Sequence, residues 1–191
     1  MGIAAIILAG GRSARLGGVH KPALEVGGAS ILDRVAGAVR GAAPGAAIVI
    51  AGSAEGLRDP GSTTVVREDP PFGGPFAGVA AALPAVDPDA RTVLLLGGDM
   101  PRLTPALLTA LLAAADERPA LARDAAGRLQ PLCSAWPATV LRARIRAAGP
   151  PENLPLRALL EGADPVAVDA PAGALEDVDT PGDLARARRD A

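Results

Sequence analysis

The stretch IAAIILAGGRSARLGGVHKP, from Ile3 to Pro22, joins an apolar run to a glycine-rich segment that ends beside a lysine. The run from Ile3 to Leu8 is apolar throughout and leads into glycines, a pattern typical of a strand buried on both faces. Lys21 is the only lysine among the 19 Lys and Arg residues. A chain that otherwise uses arginine therefore places one compact ammonium directly after a glycine-rich loop.

Short apolar runs alternate with helical patterns along the rest of the chain. Strands are predicted in AAIVIAG, TTVVRED, RTVLLLGGDMP, PALARD, GRLQPLCSAW and DPVAVD, and helices in SILDRVAGAVR, PFAGVAAALPAV, TPALLTALLAAA, residues 137–148, residues 153–161 and DVDTPGDLARARR. Ser30, Thr104 and Thr180 are the expected N-caps. This alternation predicts the α/β class: one three-layer domain over residues 1–191, with a mostly parallel sheet and helices on both faces.

Composition excludes several classes of function. The net charge is -2, the pI is about 5.4, and the sequence has no basic tail, so we expect no nucleic-acid binding. The first apolar run is too short to cross a bilayer, so we expect no membrane insertion. Cys133 is the single cysteine, which excludes an intrachain disulfide and favours a reducing, cytoplasmic setting. We expect Cys133 to be a small core residue.

The glycine-rich loop lies where ligands bind in such sheets, beyond the carboxyl end of a strand. It matches neither GxGxxG nor the P-loop pattern. Its backbone N–H groups, together with Arg12, Arg15 and Lys21, suit a phosphate. An ordinary loop with solvated arginines has the same composition, and the residues alone do not decide between the two.

The segment LAGGRSARLGGVHKP resembles the signature L-A-G-G-x-S-x-R-[ML]-G-G-x-D-K of nucleotidyltransferases with a Rossmann-like fold. The most similar branch is the molybdenum cofactor guanylyltransferases. The resemblance continues, in the family's order, through REDPPFGGPFAGVAAAL, LLLGGDMPRLTPALL and LEDVDTPGDLARAR. The doubled glycine of LAGG favours the guanylyltransferases over the related cytidylyltransferases, which more often carry LAAG.

The resemblance implies transfer of GMP from GTP to the terminal phosphate of molybdenum-molybdopterin, with Mg²⁺ as cofactor and pyrophosphate as the leaving group. The implied catalytic residues are Lys21, Asp99 and Arg15. The implied nucleotide-binding residues are Leu8, Ala9, Gly10, Gly11, Arg12, Lys21, Asp69 and Asp99, and the metal ligands are Asp99 and Asp179. The implied partners are GTP, molybdopterin, and chaperones or apoenzymes of molybdoenzymes.

The residue chemistry of Asp99 agrees with a metal role. GGDMP places its carboxylate at the carboxyl end of a buried strand, and Mg²⁺ binds one or two carboxylates together with phosphate oxygens. Thr104 already caps the next helix, which favours metal binding over capping for Asp99. Asp177 and Asp179 have two readings of equal weight: ligands for metal or acceptor, or acids that cap the last helix.

Three positions depart from the family's pattern. His20 replaces the usual Asp beside the lysine, and Ala51, Gly52 and Ser53 stand where a guanine-contacting Asn is expected. Asp177 and Asp179 replace two asparagines. On the acceptor side, relatives line the pocket at the positions of Gln130, Pro131, Asn153 and Arg157, although a solvated helix face explains Arg157 almost as well. Trp136 is expected in the core or in a wall of the pterin pocket.

Two classes of alternative stay open. The first is a different transferase on the same fold, either a molybdopterin cytidylyltransferase or a sugar-phosphate nucleotidyltransferase. Sugar-phosphate enzymes are usually longer, which counts against that branch. The second is a non-catalytic protein that binds nucleotide or pterin and passes the cofactor on. Lys21 and Asp99 are both present, which favours an enzyme.

Overall fold

The structure, a computed structural model, describes residues 2–10, 19–60, 63–69, 71 and 73–191. Its strands are β1 Gly2–Ala9, β2 Glu25–Val26, β3 Ala29–Ser30, β4 Ala47–Gly52, β5 Thr63–Val66, β6 Ala90–Gly97, β7 Ala120–Arg123, β8 Leu129–Pro137 and β9 Val166–Asp169. Its α-helices are α1 Ile31–Ala42, α2 Pro75–Ala82, α3 Pro105–Ala114, α4 Ala138–Ala148 and α5 Pro181–Arg189. Short 3₁₀ turns cover Lys21–Ala23, Leu83–Ala85 and Leu156–Leu160.

Within the described residues, a seven-stranded sheet has the order β5-β4-β1-β6-β8-β7-β9. β1 lies between β4 and β6 and pairs in parallel with both. β8 is antiparallel to its neighbours β6 and β7, whereas β7 and β9 pair in parallel. The predicted α/β class with a mostly parallel sheet is confirmed.

Helices cover both faces of this sheet. Alternate residues of β1 point to opposite sides, so that Ile7 packs in a cluster with α1 and α3 while Ile6 packs in a second cluster with α2 and α4. Both isoleucines are fully buried. This double burial explains why the strand reads as a continuous apolar run rather than as an alternating one. None of the described helices has the length and apolar content needed to cross a membrane.

The predicted N-caps are present at three helices. The Ser30 hydroxyl accepts from the Asp33 N–H at 3.0 Å, and the Thr104 hydroxyl accepts from the Leu107 N–H at 3.3 Å. At α5, Thr180 forms a capping box with Asp183. These local signals fix where each helix begins, and therefore which residues stay in the loops before it.

Cys133 and Trp136 both lie in the core with no exposed surface. Burial raises the pKa of the Cys133 thiol to about 12, so it remains protonated at physiological pH. The Trp136 Nε1–H donates to the Ser134 hydroxyl at 2.9 Å. The alternative placement of Trp136, in the wall of a ligand pocket, is therefore wrong.

Two predicted elements are shorter than expected. The strand in TTVVRED ends at Val66, so Asp69 lies in the following loop and not at the strand's end. The helix predicted over 153–161 is only the 3₁₀ turn Leu156–Leu160. Its N-cap is Pro155, which offers no capping side chain, and Asn153 has a positive φ of 60°, which a continuing helix excludes.

The carboxyl ends of β1, β4 and β6 approach one another closely because glycines stand at two of them. A Cβ on Gly52, which has a φ of 128°, would lie 2.5 Å from the carbonyl of Ala9. A Cβ on Gly98 would lie 2.9 Å from the Leu8 carbonyl oxygen, which accepts from the Gly98 N–H at 2.9 Å. The missing side chains thus let backbone atoms form the floor of a cleft at this edge of the sheet.

Gly52→Ala should lower the free energy of unfolding by about 3 kcal/mol, about 1 from the positive φ and about 2 from the forced displacement of Ala9. Gly45→Ala is the matched control, because Gly45 has a φ of 86° and open space around its Cα. That control should lose only about 1 kcal/mol. Urea unfolding of both variants measures the difference, and equal losses would contradict the close approach.

Candidate active site

A cleft of about 350 Å³ opens at the carboxyl ends of β1, β4 and β6, beside the start of α2. Leu8 contributes to its floor and contacts α2, where a Cβ on Gly78 would lie 3.2 Å from the Leu8 side chain. The described residues that line the cleft are Leu8, Gly10, Ala51, Glu68, Gly74, Pro75, Gly78, Gly97, Asp99 and Leu132. This wall is mainly small and apolar, which suits a flat ligand that carries its charges at one end.

The start of α2 faces this cleft. Gly74 is its N-cap, Pro75 takes the first helical position, and no side chain of the described residues caps the first turn. Backbone N–H groups at a helix N-terminus carry a partial positive charge and bind anions. The end of the cleft formed by Gly74 and Pro75 therefore suits a phosphate.

Three aspartates meet at the other side of the cleft, and we call them the acidic trio: Asp99, Asp177 and Asp179. One carboxylate oxygen of each lies within 4.8 Å of the other two. Asp99 follows β6, while Asp177 and Asp179 come from the segment before α5. The Val178 N–H donates to the Asp99 carbonyl at 3.0 Å, so a backbone hydrogen bond holds the two segments together.

The electrostatics of the trio favour a cation. Burial, and after it the negative charge of Asp177, raises the pKa of Asp99 to about 6 even though the positive charge of Lys21 lowers it. A positive ion between these oxygens would offset the desolvation and the repulsion together. Carboxylate oxygens are the ligands that hard divalent cations prefer. The donor set therefore fits such a cation.

Lys21 joins the trio from a distant part of the chain. It begins a single 3₁₀ turn that contains the buried Pro22, and its carbonyl accepts from the Leu24 N–H at 3.0 Å. Its Nζ donates to Asp179 Oδ1. The lysine side chain is only 17% exposed, against 42% for Asp179. The structure thus brings the predicted residues Lys21, Asp99 and Asp179 to one place.

The capping role suggested for Asp177 and Asp179 is filled by other residues. Asp183 Oδ2 accepts from the N–H of Thr180 at 2.8 Å and from the N–H of Asp179 at 3.3 Å. The hydrogen bond from the Thr180 hydroxyl is the main reason that the pKa of Asp183 is lowered. Asp183 and Thr180 therefore cap α5, and the carboxylates of Asp177 and Asp179 lie with Asp99 in the trio.

The other predicted nucleotide-binding residues have separate positions. Leu8 and Gly10 line the cleft, and Ala9 is buried between them at 1% exposure. Asp69 lines a neighbouring depression of about 200 Å³ rather than the cleft. Gly11, Arg12 and Arg15 lie outside the described residues, so their roles remain predictions.

His20 stands half-buried beside Lys21. Among the described residues its Nε2 has no hydrogen-bond partner. Burial lowers the pKa of the imidazole, while the charge of Glu55 and a hydrogen bond to the Ser53 backbone act in the opposite direction. The lowered pKa of His20 favours a neutral imidazole at pH 7. The position next to Lys21 is therefore uncharged, where an aspartate would place a negative charge.

A second pocket, of about 370 Å³, also borders the trio. Asp177 lines it, as do Asp124 and Arg128 from the β7–β8 turn and Glu176 from the segment before α5. Gln130 reaches its edge, donating to Asp124 at 3.4 Å. The trio therefore lies between two pockets: Asp99 lines the cleft, and Asp177 lines the second pocket.

The remaining acceptor-side predictions are only partly supported by position. Pro131 follows Gln130 on β8, near the second pocket. Asn153 lies elsewhere, because its N–H donates to the Gly73 carbonyl at 2.8 Å beside the start of α2. Arg157 is exposed on the 3₁₀ turn Leu156–Leu160.

Sequence reasoning missed two features of the site. Glu68 lines both the cleft and the neighbouring depression, whereas the residue implied by the family resemblance is its neighbour Asp69. The sequence predicts that a helix begins near Pro75, but it does not predict that this first turn belongs to a binding site. The signal was available: glycines directly before Pro75, in GGPF, indicate an uncapped helix start with room for a ligand.

Comparison with known proteins agrees with this geometry. Residues 5–168 match the family model described as the MobA-like NTP transferase domain. The chain belongs to this family. A curated relative from Pseudomonas syringae pv. syringae, named molybdenum cofactor guanylyltransferase, is 34% identical over 184 residues, which cover 92% of this chain and 88% of the relative. The chain is thus a nucleotidyltransferase by family.

Solved structures share the fold. A nucleotidyl transferase from Methanothermobacter thermautotrophicus has a TM-score of 0.79 at 23% identity, covering 98% of this chain and 96% of that one. A Mycobacterium tuberculosis protein, solved as a complex with manganese, has a TM-score of 0.69 at 22% identity and covers all of both chains. At these identities the likeness concerns the fold alone.

Asp99→Asn should stabilise the protein in metal-free buffer at pH 7.5, because a neutral amide then replaces a buried negative charge. The rise of the pKa from 3.8 to about 6 corresponds to at most about 3 kcal/mol. The folded protein binds the Asp99 proton more tightly than the unfolded chain does. Protonation of Asp99 therefore stabilises the fold fully below about pH 3.8, and this stabilisation is lost as the pH rises through 6. The advantage of the variant should therefore disappear near pH 4.

Urea unfolding in EDTA at the two pH values measures this effect. Asp116→Asn, at an exposed residue after α3, is the control and should show no such pH-dependent gain. An Asp99→Asn variant that is less stable than the parent at pH 7.5 would contradict the assigned burial. The same variant should also lose the stabilisation that Mg²⁺ gives the parent.

Proposed function

We propose that this protein transfers GMP from GTP to the terminal phosphate of molybdenum-molybdopterin in the cytoplasm, releasing pyrophosphate. One observation carries the proposal: the acidic trio and Lys21 lie between a cleft and a second pocket, with Asp99 lining one and Asp177 the other. A group-transfer enzyme needs its charge-stabilising residues where donor and acceptor phosphates meet. The name of the Pseudomonas relative supplies the substrates.

The donor GTP takes the cleft. Its triphosphate would lie between the start of α2 and Lys21, and its base and ribose against the small residues Leu8, Gly10 and Ala51. Gly11, Arg12 and Asp69 stay in the proposed binding set from the sequence. This arrangement places anionic phosphate against backbone N–H groups and an ammonium, both of which bind it favourably.

Mg²⁺ is the proposed cofactor. Asp99 and Asp179 would hold it, with Asp177 close enough to contribute directly or through a water. The manganese complex of the Mycobacterium tuberculosis protein supports a divalent cation on this fold. When bound, the ion would offset phosphate charge and hold the triphosphate in one orientation.

The chain's own residues would supply the remaining chemistry. Lys21, together with Arg15, would balance charge that builds up on the α-phosphate during attack. The narrow cleft floor would fix the nucleotide, since Gly52 and Gly98 keep the strand ends close. Little further help is needed, because the attacking acceptor phosphate is already ionised at neutral pH.

The acceptor takes the second pocket. Arg128 is exposed at its rim and paired with Asp124 at 2.8 Å, so it can turn toward an incoming phosphate. Gln130 and Pro131 would contact the pterin side. An acceptor in this pocket would reach the trio at Asp177, while a donor in the cleft would reach it at Asp99. Chaperones or apoenzymes of molybdoenzymes would receive the product.

GTP with molybdenum-molybdopterin and Mg²⁺ should give pyrophosphate release that CTP and ATP do not match. In a thermal-unfolding titration, GTP with Mg²⁺ should also stabilise the protein most, by about 2.7 kcal/mol at a hundredfold excess over Kd. Reactions without acceptor serve as the control and should release no pyrophosphate above background. Preference for CTP would move the protein to the cytidylyltransferase branch, and binding without release would indicate a carrier protein.

A further inference from the structure

We propose that Lys21 is an internal counter-ion of the acidic trio, and that a divalent cation binds the trio only after displacing the lysine from Asp179. This inference rests on the proposed function, because it concerns the same site. It adds an exchange step: one carboxylate serves two cations in turn. It also predicts that metal and nucleotide binding are coupled through a single lysine.

The contact that carries the inference is specific. Lys21 Nζ donates to Asp179 Oδ1, and Asp179 belongs to the trio whose oxygens lie within 4.8 Å of one another. The lysine side chain is mostly buried there, at 17% exposure. An ammonium and a divalent cation on the same carboxylate would repel each other strongly at this separation. The two therefore compete for Asp179.

The neighbourhood makes the exchange feasible without refolding. The backbone of Lys21 is fixed by the 3₁₀ turn and by the buried Pro22, so only the flexible side chain has to move. The ion pair found for Lys21 within the described chain is the one with Asp179. His20, the preceding residue, favours its neutral form and does not offer an alternative anion. A triphosphate in the cleft would provide one.

Coupling between metal and nucleotide follows from this exchange. Without nucleotide, a metal ion must leave the ammonium with no anionic partner. With nucleotide, the ammonium moves from a carboxylate to a phosphate, and Asp179 becomes available to the metal. Each ligand therefore favours binding of the other, as thermodynamic linkage requires.

Mn²⁺ binding in the absence of nucleotide tests the exchange, with free Mn²⁺ followed by electron paramagnetic resonance. Lys21→Met removes the competing cation and should tighten Mn²⁺ binding at least about fivefold. Lys21→Arg keeps a cation beside Asp179 and should stay within about twofold of the parent. Arg146→Met, at an exposed residue of α4, is the control for loss of one positive charge away from the trio, and it should also stay within about twofold.

A double-mutant cycle locates the effect. In an Asp179→Asn background the lysine has lost its carboxylate, so adding Lys21→Met should change Mn²⁺ affinity by less than about twofold. Lys21→Gln repeats the measurement if the methionine variant melts at a lower temperature. The exchange would be overturned if Lys21→Met and Lys21→Gln bind Mn²⁺ no more tightly than the parent does. It would also be overturned if no protein in the series binds Mn²⁺. Pyrophosphate release does not enter this assay, so failure of the proposed function would show separately.

Discussion

The charge balance of the active site depends on the ion pair between Lys21 and Asp179. It joins residues 158 positions apart in the chain, and it links the 3₁₀ turn Lys21–Ala23 to the segment before α5. The Val178–Asp99 hydrogen bond adds the loop after β6 to the same point. Three segments that share no local sequence pattern thus meet at the carboxyl edge of the sheet. Asp99 lines the cleft and Asp177 lines the second pocket, so this meeting places the acidic trio at the border of both.

Such a meeting is costly for the folded state. Burial is the main cause of the raised pKa of Asp99, and the like charges of Asp177 and Asp179 add to it. A single lysine cannot neutralise three carboxylates. Among the described residues, net negative charge therefore remains where a cation is proposed to bind. Such a loss of stability in favour of function is common at active sites. The closely packed strand ends around Gly52 and Gly98, and the capping box of α5, hold the charged segments against this repulsion.

The strands and the helix starts could be predicted because the evidence for each lies in its own few residues. The buried strands β1 and β6 are apolar runs, and α1, α3 and α5 begin at the capping residues Ser30, Thr104 and Thr180. Lys21, Asp99 and Asp179 were each identified from family motifs, but their contact was not, because pairing across 158 positions leaves no periodic signal. Asp177 stayed ambiguous, since Asp183 offers the same cap chemistry nearby. The second pocket depends on β7 pairing with both β8 and β9, and the parallel β7–β9 pair joins distant segments that carry no local signal of their pairing.

The most direct measurement is a crystal structure with GTP and Mn²⁺, in which anomalous scattering locates the metal. The account predicts a Mn²⁺ peak in contact with the carboxylates of Asp99 and Asp179, between the cleft and the second pocket. It also predicts that Lys21 Nζ lies on a phosphate oxygen of GTP. A Mn²⁺ ion bound to the phosphates without contact to the trio, with Lys21 still paired to Asp179, would contradict it.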